Sequence, residues 1–203
     1  MALGDLLRLG GWTMVPILAS SGVALMVFLG KAWEFRSFRG SDLRWFDRVL
    51  ERVRSGHRAS VPDELEGAAH PAARVIAASL RVHVARPDRV EAEARRVGTL
   101  EVQRAEAYLG VLAFIAEAAP LLGLLGTVLG MLDLFRSLQQ AGLEQIDLGL
   151  LSSGIWQALL TTAAGLAVAV PTLAAHRYLV SRADRLRVQI GDCVQQMLTE
   201  LSD

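Results

Sequence analysis

The chain has 203 residues, 21 basic and 21 acidic side chains, and a formal charge of zero. That balance gives no footing for nucleic acid or for a strongly acidic partner. A mean hydropathy of +0.35 points to lipid, and the single cysteine, Cys193, leaves no intrachain disulfide and no cysteine metal cluster.

The charges are segregated along the chain. Leu9 to Gly30 carries none, and the run ends in Lys31-Ala32-Trp33-Glu34-Phe35-Arg36. It is longer than the core of a signal peptide, so it reads as a retained first span. Lys31 to Arg36 reads as an interfacial anchor, with Trp33 and Phe35 at headgroup level. Between Glu106 and Asp133 the one charge is Glu117, and Leu148 to His176 has none when the histidine is neutral. Each run reaches the roughly 20 residues that cross about 30 Å of hydrocarbon. The expected fold class is therefore all-α, an integral membrane protein with three transmembrane helices at about 12–34, 108–136 and 149–178.

The divisions follow. Residues 1–36 hold the N-terminal segment and first span, 37–107 a cytoplasmic helical region, and 108–136 the second span. A short periplasmic connection, 137–148, leads to the third span, 149–178, and a cytoplasmic C-terminal helix, 179–203. Orientation rests on arginines. Arg36, Arg39, Arg44, Arg48, Arg52, Arg54 and Arg58 follow the first span, and Arg177, Arg182, Arg185 and Arg187 follow the third. The other side holds Asp5, Arg8, Arg136, Glu144 and Asp147. The positive-inside bias puts the N-terminus in the periplasm and the C-terminus in the cytoplasm.

In the region between the first two spans, Ser41 can cap a helix with the stripe Leu43, Phe46, Leu50 and Val53. Ser55 to Pro71 reads as a loop, and a helix follows from about Ala72 to Ala85. Pro87 suits the first turn of a helix expected to run unbroken from about 88 to 138. Glu91–Arg95 and Glu101–Arg104 are spaced to support its solvated face. In the tail, Leu186, Ile190, Val194, Met197 and Leu201 form a stripe expected to pack on a neighbouring subunit. His57, His70 and His83 read as solvated, His176 as interfacial, and Trp12 and Trp156 as markers of the outer membrane-facing region.

The second and third spans are unusual in their small residues. Gly123, Gly126 and Gly130 line one, and Gly154, Ala158, Gly165 and Ala169 line the other. Such spacing lets helix backbones approach closely in lipid, and it favours a homo-oligomer with little stable monomer. Pro120 and Pro171 sit inside the spans, where each removes a backbone hydrogen bond and favours a kink. Thr127 and Thr162 can hydrogen-bond without titrating, because a hydroxyl is both donor and acceptor. Thr161 is turned about 100° from Thr162 and reads as packing or as facing a neighbouring subunit, so its loss is expected to matter less. Glu117 lies ten residues before Thr127, roughly 15 Å toward the cytoplasm. It either lines a pore or reaches interfacial water.

Three blocks carry a family resemblance. They are GWTMVPIL, Gly11 to Leu18; APLLGLLGTVLGM, Ala119 to Met131; and QALLTTAAGLAVAVP, Gln157 to Pro171. They resemble the MotA/TolQ/ExbB proton-channel family, and within it the ExbB/TolQ branch. The resemblance implies a ring, a pentamer, around an ExbD/TolR-like single-span partner that contributes the ionisable aspartate. It implies a bacterial inner-membrane, proton-driven motor that energises a TonB/TolA-like transducer for outer-membrane transport or envelope integrity. Thr127 and Thr162 map to the family's ion-path threonines. Many relatives place a glutamate where this chain has Gln157, which leaves the proton route resting more heavily on the partner's acid. No cofactor, metal or enzymatic activity is expected. A MotA-like stator relative is the alternative, although that branch has four spans, and so is a structural membrane scaffold. An intramembrane serine protease does not fit, since Ser153 and His176 lie roughly 35 Å apart along one helix.

Overall fold

The structure, a computed structural model, describes residues 12–39, 44–68, 70–141 and 148–202. Ser41, Leu43, the charges Asp5, Arg8, Glu144 and Asp147, and residues 142–147 of the 137–148 connection lie outside the described residues. Seven α-helices occur among those described: α1 Met14–Arg39, α2 Arg44–Arg54, α3 Val61–Glu64, α4 Pro71–Ala85, α5 Val90–Glu106, α6 Leu109–Ala141 and α7 Leu148–Ser202. A 3-10 turn, Pro87–Arg89, leads into α5. No strand is present among the described residues, and three helical stretches are long and apolar enough to cross a membrane.

The chain divides into two compact units. One is Met1–Leu29 with Tyr108–Arg177, the other Gly30–Ala107 with Tyr178–Asp203. The first is apolar. It buries Met14, Ile17, Leu112 and Ala119, while Leu121, Leu124, Val128 and Leu132 of α6 and Leu159, Leu166 and Val170 of α7 face outward. Trp12 and Trp156 are also exposed. Apolar residues pointing outward on all three helices suit a lipid surround.

The charged unit has its own core of Val53, Val75, Ile76, Leu80, Leu179 and Met197. Helix α4 packs along α5 and against α3. The expected loop from Ser55 to Pro71 contains α3, because Pro62 presets the first turn and Val61 and Leu65 are buried. The turns on either side use Gly56 at φ +81° and Gly67 at φ +88°, a conformation that a side chain would strain.

Several expectations need correction. The unbroken helix over 88–138 is interrupted at Ala107 and Tyr108, where Ala107 has ψ 136° and Tyr108 φ +68°. The physical reason lies at the end of α5. A continued helix would offer the Arg104 carbonyl to the Tyr108 N–H. Instead that carbonyl accepts the Ala107 N–H at 3.3 Å and the Lys31 ammonium at 2.8 Å. A cation at a helix C-terminus is favoured by the dipole. Lys31 is buried, and its ammonium also pairs with Glu34 at 2.8 Å. Phe35 is buried too, and of that segment's aromatic pair only Trp33 stands exposed.

Glu101 does not support a solvated face. It is 3% exposed and accepts Arg74 Nε at 3.1 Å and Arg104 Nη1 at 2.7 Å. A buried carboxylate persists only when paired in this way. The Glu91–Arg95 pair does form on the surface, at 3.3 Å. The C-terminal stripe is covered by this chain itself. Leu186, Ile190 and Met197 are buried within the charged unit, with Cys193 beside them. Ile190 Cγ2 lies 3.4 Å from where a Cβ on Gly98 would sit, Arg187 pairs with Glu106 at 2.6 Å, and Arg54 Nε donates to Glu200 at 2.8 Å. Leu186, Ile190 and Met197 thus need no neighbouring subunit to cover them, while Val194 and Leu201 of the same stripe remain half-buried. Burial pushes the Cys193 thiol up to about 11, which makes it inert at neutral pH.

His70 is also buried, not solvated. Its Nδ1 accepts the Ala72 N–H at 3.2 Å and caps α4. Desolvation, and then the nearby Arg74 charge, hold its pKa below the ordinary value. A histidine whose folded pKa is depressed stabilises the fold fully above the unfolded pKa of about 6.5, and that contribution is lost as pH falls below it. The thermal stability of the detergent-solubilised protein is expected to fall as pH is lowered from about 7.5 to about 5.5. His70→Asn, which keeps a capping acceptor that does not titrate, is expected to flatten this fall. Equal pH slopes in the two proteins would exclude the assignment.

Candidate ion-path site

The two small-residue faces meet each other. A Cβ on Gly165 would lie 2.5 Å from the Ala119 carbonyl oxygen and 3.1 Å from Gly123 Cα. One on Gly123 would lie 3.0 Å from the Thr161 carbonyl oxygen and 3.0 Å from Thr162 Cα. Gly130 stands opposite Ala158, and Gly154 opposite Leu134. As the α6 position rises from 119 to 134, its α7 partner falls from 165 to 154, so the helices run antiparallel in a defined register. Ala158 and Ala169 are buried. The small faces therefore meet each other within one chain, so the close helix approach they allow needs no second copy. In lipid, close backbone approach and hydrogen bonds between helices replace the hydrophobic drive of water.

Hydroxyls decorate this seam. Thr162 is half-buried, and its Oγ1 donates to the Gly123 carbonyl at 3.0 Å. Thr127, also half-buried, donates to the Leu124 carbonyl of its own helix at 2.6 Å. Thr161 is 1% exposed. It donates to the Ala158 carbonyl at 2.7 Å, with the Gly123 carbonyl a second, weaker acceptor at 3.5 Å. Thr161 thus packs inside its own chain. Its Oγ1 and that of Thr13 lie 2.6 and 2.8 Å from where a Cβ on Gly126 would sit, so three segments converge on that glycine.

The sites read from sequence separate into two groups. Gly123, Gly126, Gly165 and Thr162 come together, with Thr127 one turn along α6. Glu117 is exposed, and Gln157 is half-buried. Pro120 and Pro171 lie inside α6 and α7, and both helices run on through them. Sequence reading missed Thr13, although it lies in the Gly11 to Leu18 block. It also underrated Thr161, since a lone β-branched polar residue gives no sign of which face it occupies. Among the described residues no group of three or more His, Cys, Asp or Glu side chains could hold a metal. The arrangement offers non-titrating hydroxyls on a tightly packed, antiparallel helix pair.

A three-span helical membrane protein of this kind matches one family model. The MotA/TolQ/ExbB proton channel family aligns with residues 67–191, more than half of the chain, and the chain belongs to that family. It is similar to the putative biopolymer transport protein ExbB homolog of Methanothermobacter thermautotrophicus, 30% identical over 181 residues, covering 89% of this chain and 63% of that protein. It is 33% identical over 180 residues to the putative biopolymer transport protein ExbB-like 1 of Synechocystis sp., covering 85% of this chain and 68% of the relative. The Tol-Pal system protein TolQ of Pseudomonas aeruginosa is 38% identical over 96 residues, 47% of this chain and 41% of that protein. This chain therefore spans less than two thirds of the first and last of these.

Two glycine substitutions separate tight from loose points of the seam. Gly165→Ala would put its Cβ 2.5 Å from a backbone oxygen, so α6 and α7 must part. It is expected to cost about 1–3 kcal/mol. Gly130→Ala meets Ala158 at 3.4 Å, an ordinary contact, and is expected to be near neutral. Unfolding in graded denaturing detergent measures both, and equal stability of the two variants would disprove the backbone contact.

Proposed function

We propose that this chain is the ring-forming, ExbB/TolQ-like subunit of a proton-driven motor in a bacterial inner membrane. It acts as a pentamer around an ExbD/TolR-like single-span partner and energises a TonB/TolA-like transducer for outer-membrane transport or envelope integrity. It is not an enzyme. The arginine distribution supports a periplasmic N-terminus and a cytoplasmic C-terminus. The outward leucines of α6 and α7 supply apolar surface for neighbouring subunits and lipid.

The observation that carries the reading is the Thr162 hydroxyl. It is half-exposed at the seam, and its proton is held by the Gly123 carbonyl. Its oxygen is therefore presented as an acceptor. The Thr127 hydroxyl is set in the same way by the Leu124 carbonyl. A protonated carboxyl on the partner helix donates to such an oxygen. When that acid loses its proton, the hydroxyl swings and donates to the carboxylate. Leaving the Gly123 carbonyl gives up one modest hydrogen bond, about 1 kcal/mol, which the stronger bond to a charged carboxylate offsets, and the carbonyl keeps its helical bond. Gln157 can join by hydrogen bonding but cannot hold the proton as an acid. Glu117, exposed on α6, is assigned to the cytoplasmic mouth of the path.

Thr162→Val keeps the shape and removes the hydroxyl. Ring assembly is expected to persist, while proton flux in vesicles containing the single-span partner falls about tenfold, the scale of a lost hydrogen bond to a charged group. Gln157→Glu is expected to assemble and to conduct at least as well as the parent. Full flux in an assembled Thr162→Val ring would show that this hydroxyl only packs.

A further inference from the structure

Thr161 and Thr162 are neighbours in sequence with opposite surroundings. Thr162 stands half-exposed. Thr161 is sealed between helices, bonded to the Ala158 carbonyl at 2.7 Å and within 3.5 Å of the Gly123 carbonyl. The Gly123 carbonyl therefore faces both hydroxyls, one strongly bonded and one at the edge of bonding range. On its far side Thr161 fills the space over Gly126, where Thr13 also arrives. No slack remains there, since even a methyl on Gly126 would meet Thr161 Oγ1 at 2.6 Å.

We propose that Thr161 is a positioning residue for the ion path: it locks the height of α7 against α6 so that the Thr162 hydroxyl reaches the Gly123 carbonyl and turns its oxygen outward. This rests on the reading of Thr162 as an ion-path group. It reverses the expectation that Thr161 matters less because it points about 100° away. Pointing away is what lets it act. A residue on the seam sets the register, and the next residue, carried around the helix, meets the ion. Gly126 is part of the same device. It is the cup that receives Thr161, and its lack of a side chain admits Thr13 as well.

The test separates this role from the conduction reading. Threonine follows threonine once in the chain, at Thr161–Thr162, and no threonine follows serine or valine. Labelling the carbonyl of residue 161 with ¹³C and threonine with ¹³C and ¹⁵N therefore selects Thr162 alone in solid-state NMR of the membrane-reconstituted protein, in the parent and in the variants. In Thr161→Val the Thr162 Cβ shift is expected to move and its hydroxyl proton to exchange quickly. Flux with the single-span partner is expected to fall about fivefold, the scale of one modest hydrogen bond. Thr161→Ser, which keeps the hydroxyl, is expected to restore both. Gly126→Ala leaves residue 161 intact but displaces it, and is expected to reproduce the Thr161→Val signature, which keeps the test decisive where Thr161→Val fails to assemble. Parental Thr162 signals and parental flux in either Thr161→Val or Gly126→Ala overturn the proposal. If Thr162→Val itself conducts fully, the conduction reading fails, and the NMR arm still shows whether Thr161 holds the Thr162 hydroxyl in place.

Discussion

The contact on which the apolar unit depends is backbone against backbone. Where α6 and α7 cross at Ala119, Gly123 and Gly165, peptide groups rather than side chains touch, and a single added carbon at Gly165 would lie 2.5 Å from a carbonyl oxygen. Lipid tails are as apolar as leucine, so two helices in a bilayer gain little by hiding leucine from their surroundings. They gain by close dispersion contact and by hydrogen bonds. Both require small residues on the facing sides, and both are present. Everything else in the unit follows from that approach. The leucines are pushed to the outside, the Thr162 hydroxyl reaches across to the Gly123 carbonyl, and Thr13 enters over Gly126.

The charged unit is governed by a different rule. Here water competes for every polar group, and the buried charges mark where the helices are tied together. Glu101 accepts from arginines of both α4 and α5, and those arginines remain open to solvent at their far ends. The arrangement avoids the large penalty of a fully desolvated pair. Lys31 does similar work at the end of α5, where its ammonium occupies the carbonyl that a continued helix would have needed. The interruption at Ala107 and Tyr108 coincides with that tertiary contact.

The chemistry of the seam favours groups that do not titrate. A carboxylate inside lipid is costly and needs a polar, protein-lined space. Hydroxyls bound to helix carbonyls avoid that cost and still change partners. Gln157, half-buried on α7, extends the same principle, since an amide hydrogen-bonds without titrating. Adjacent residues thus end in different surroundings, Thr162 half-exposed and Thr161 buried, and the proposed ion path gives each a separate task.

The three spans, the family and the small-residue faces were legible in the sequence, because hydropathy over some twenty residues and the spacing of glycine are properties of the chain alone. The block from Ala119 to Met131 and that from Gln157 to Pro171 lie on the two helices that the structure packs against each other. What the sequence left open was which surface each feature meets. The stripe from Leu186 to Met197 looks the same whether it packs on a neighbour or on this chain's own helices, and the tertiary structure chose the latter. Glu101 is spaced for a surface pair with Arg104, yet Arg74, distant in sequence, makes it a buried centre. His70 precedes a proline and reads as a loop residue until Ala72 is seen to donate to it. Thr161 and Thr162 are identical in composition and adjacent in order. Only the docking of α6, with Thr13 arriving over Gly126, distinguishes them, because burial is decided by what lies across a helix, and that information belongs to the fold.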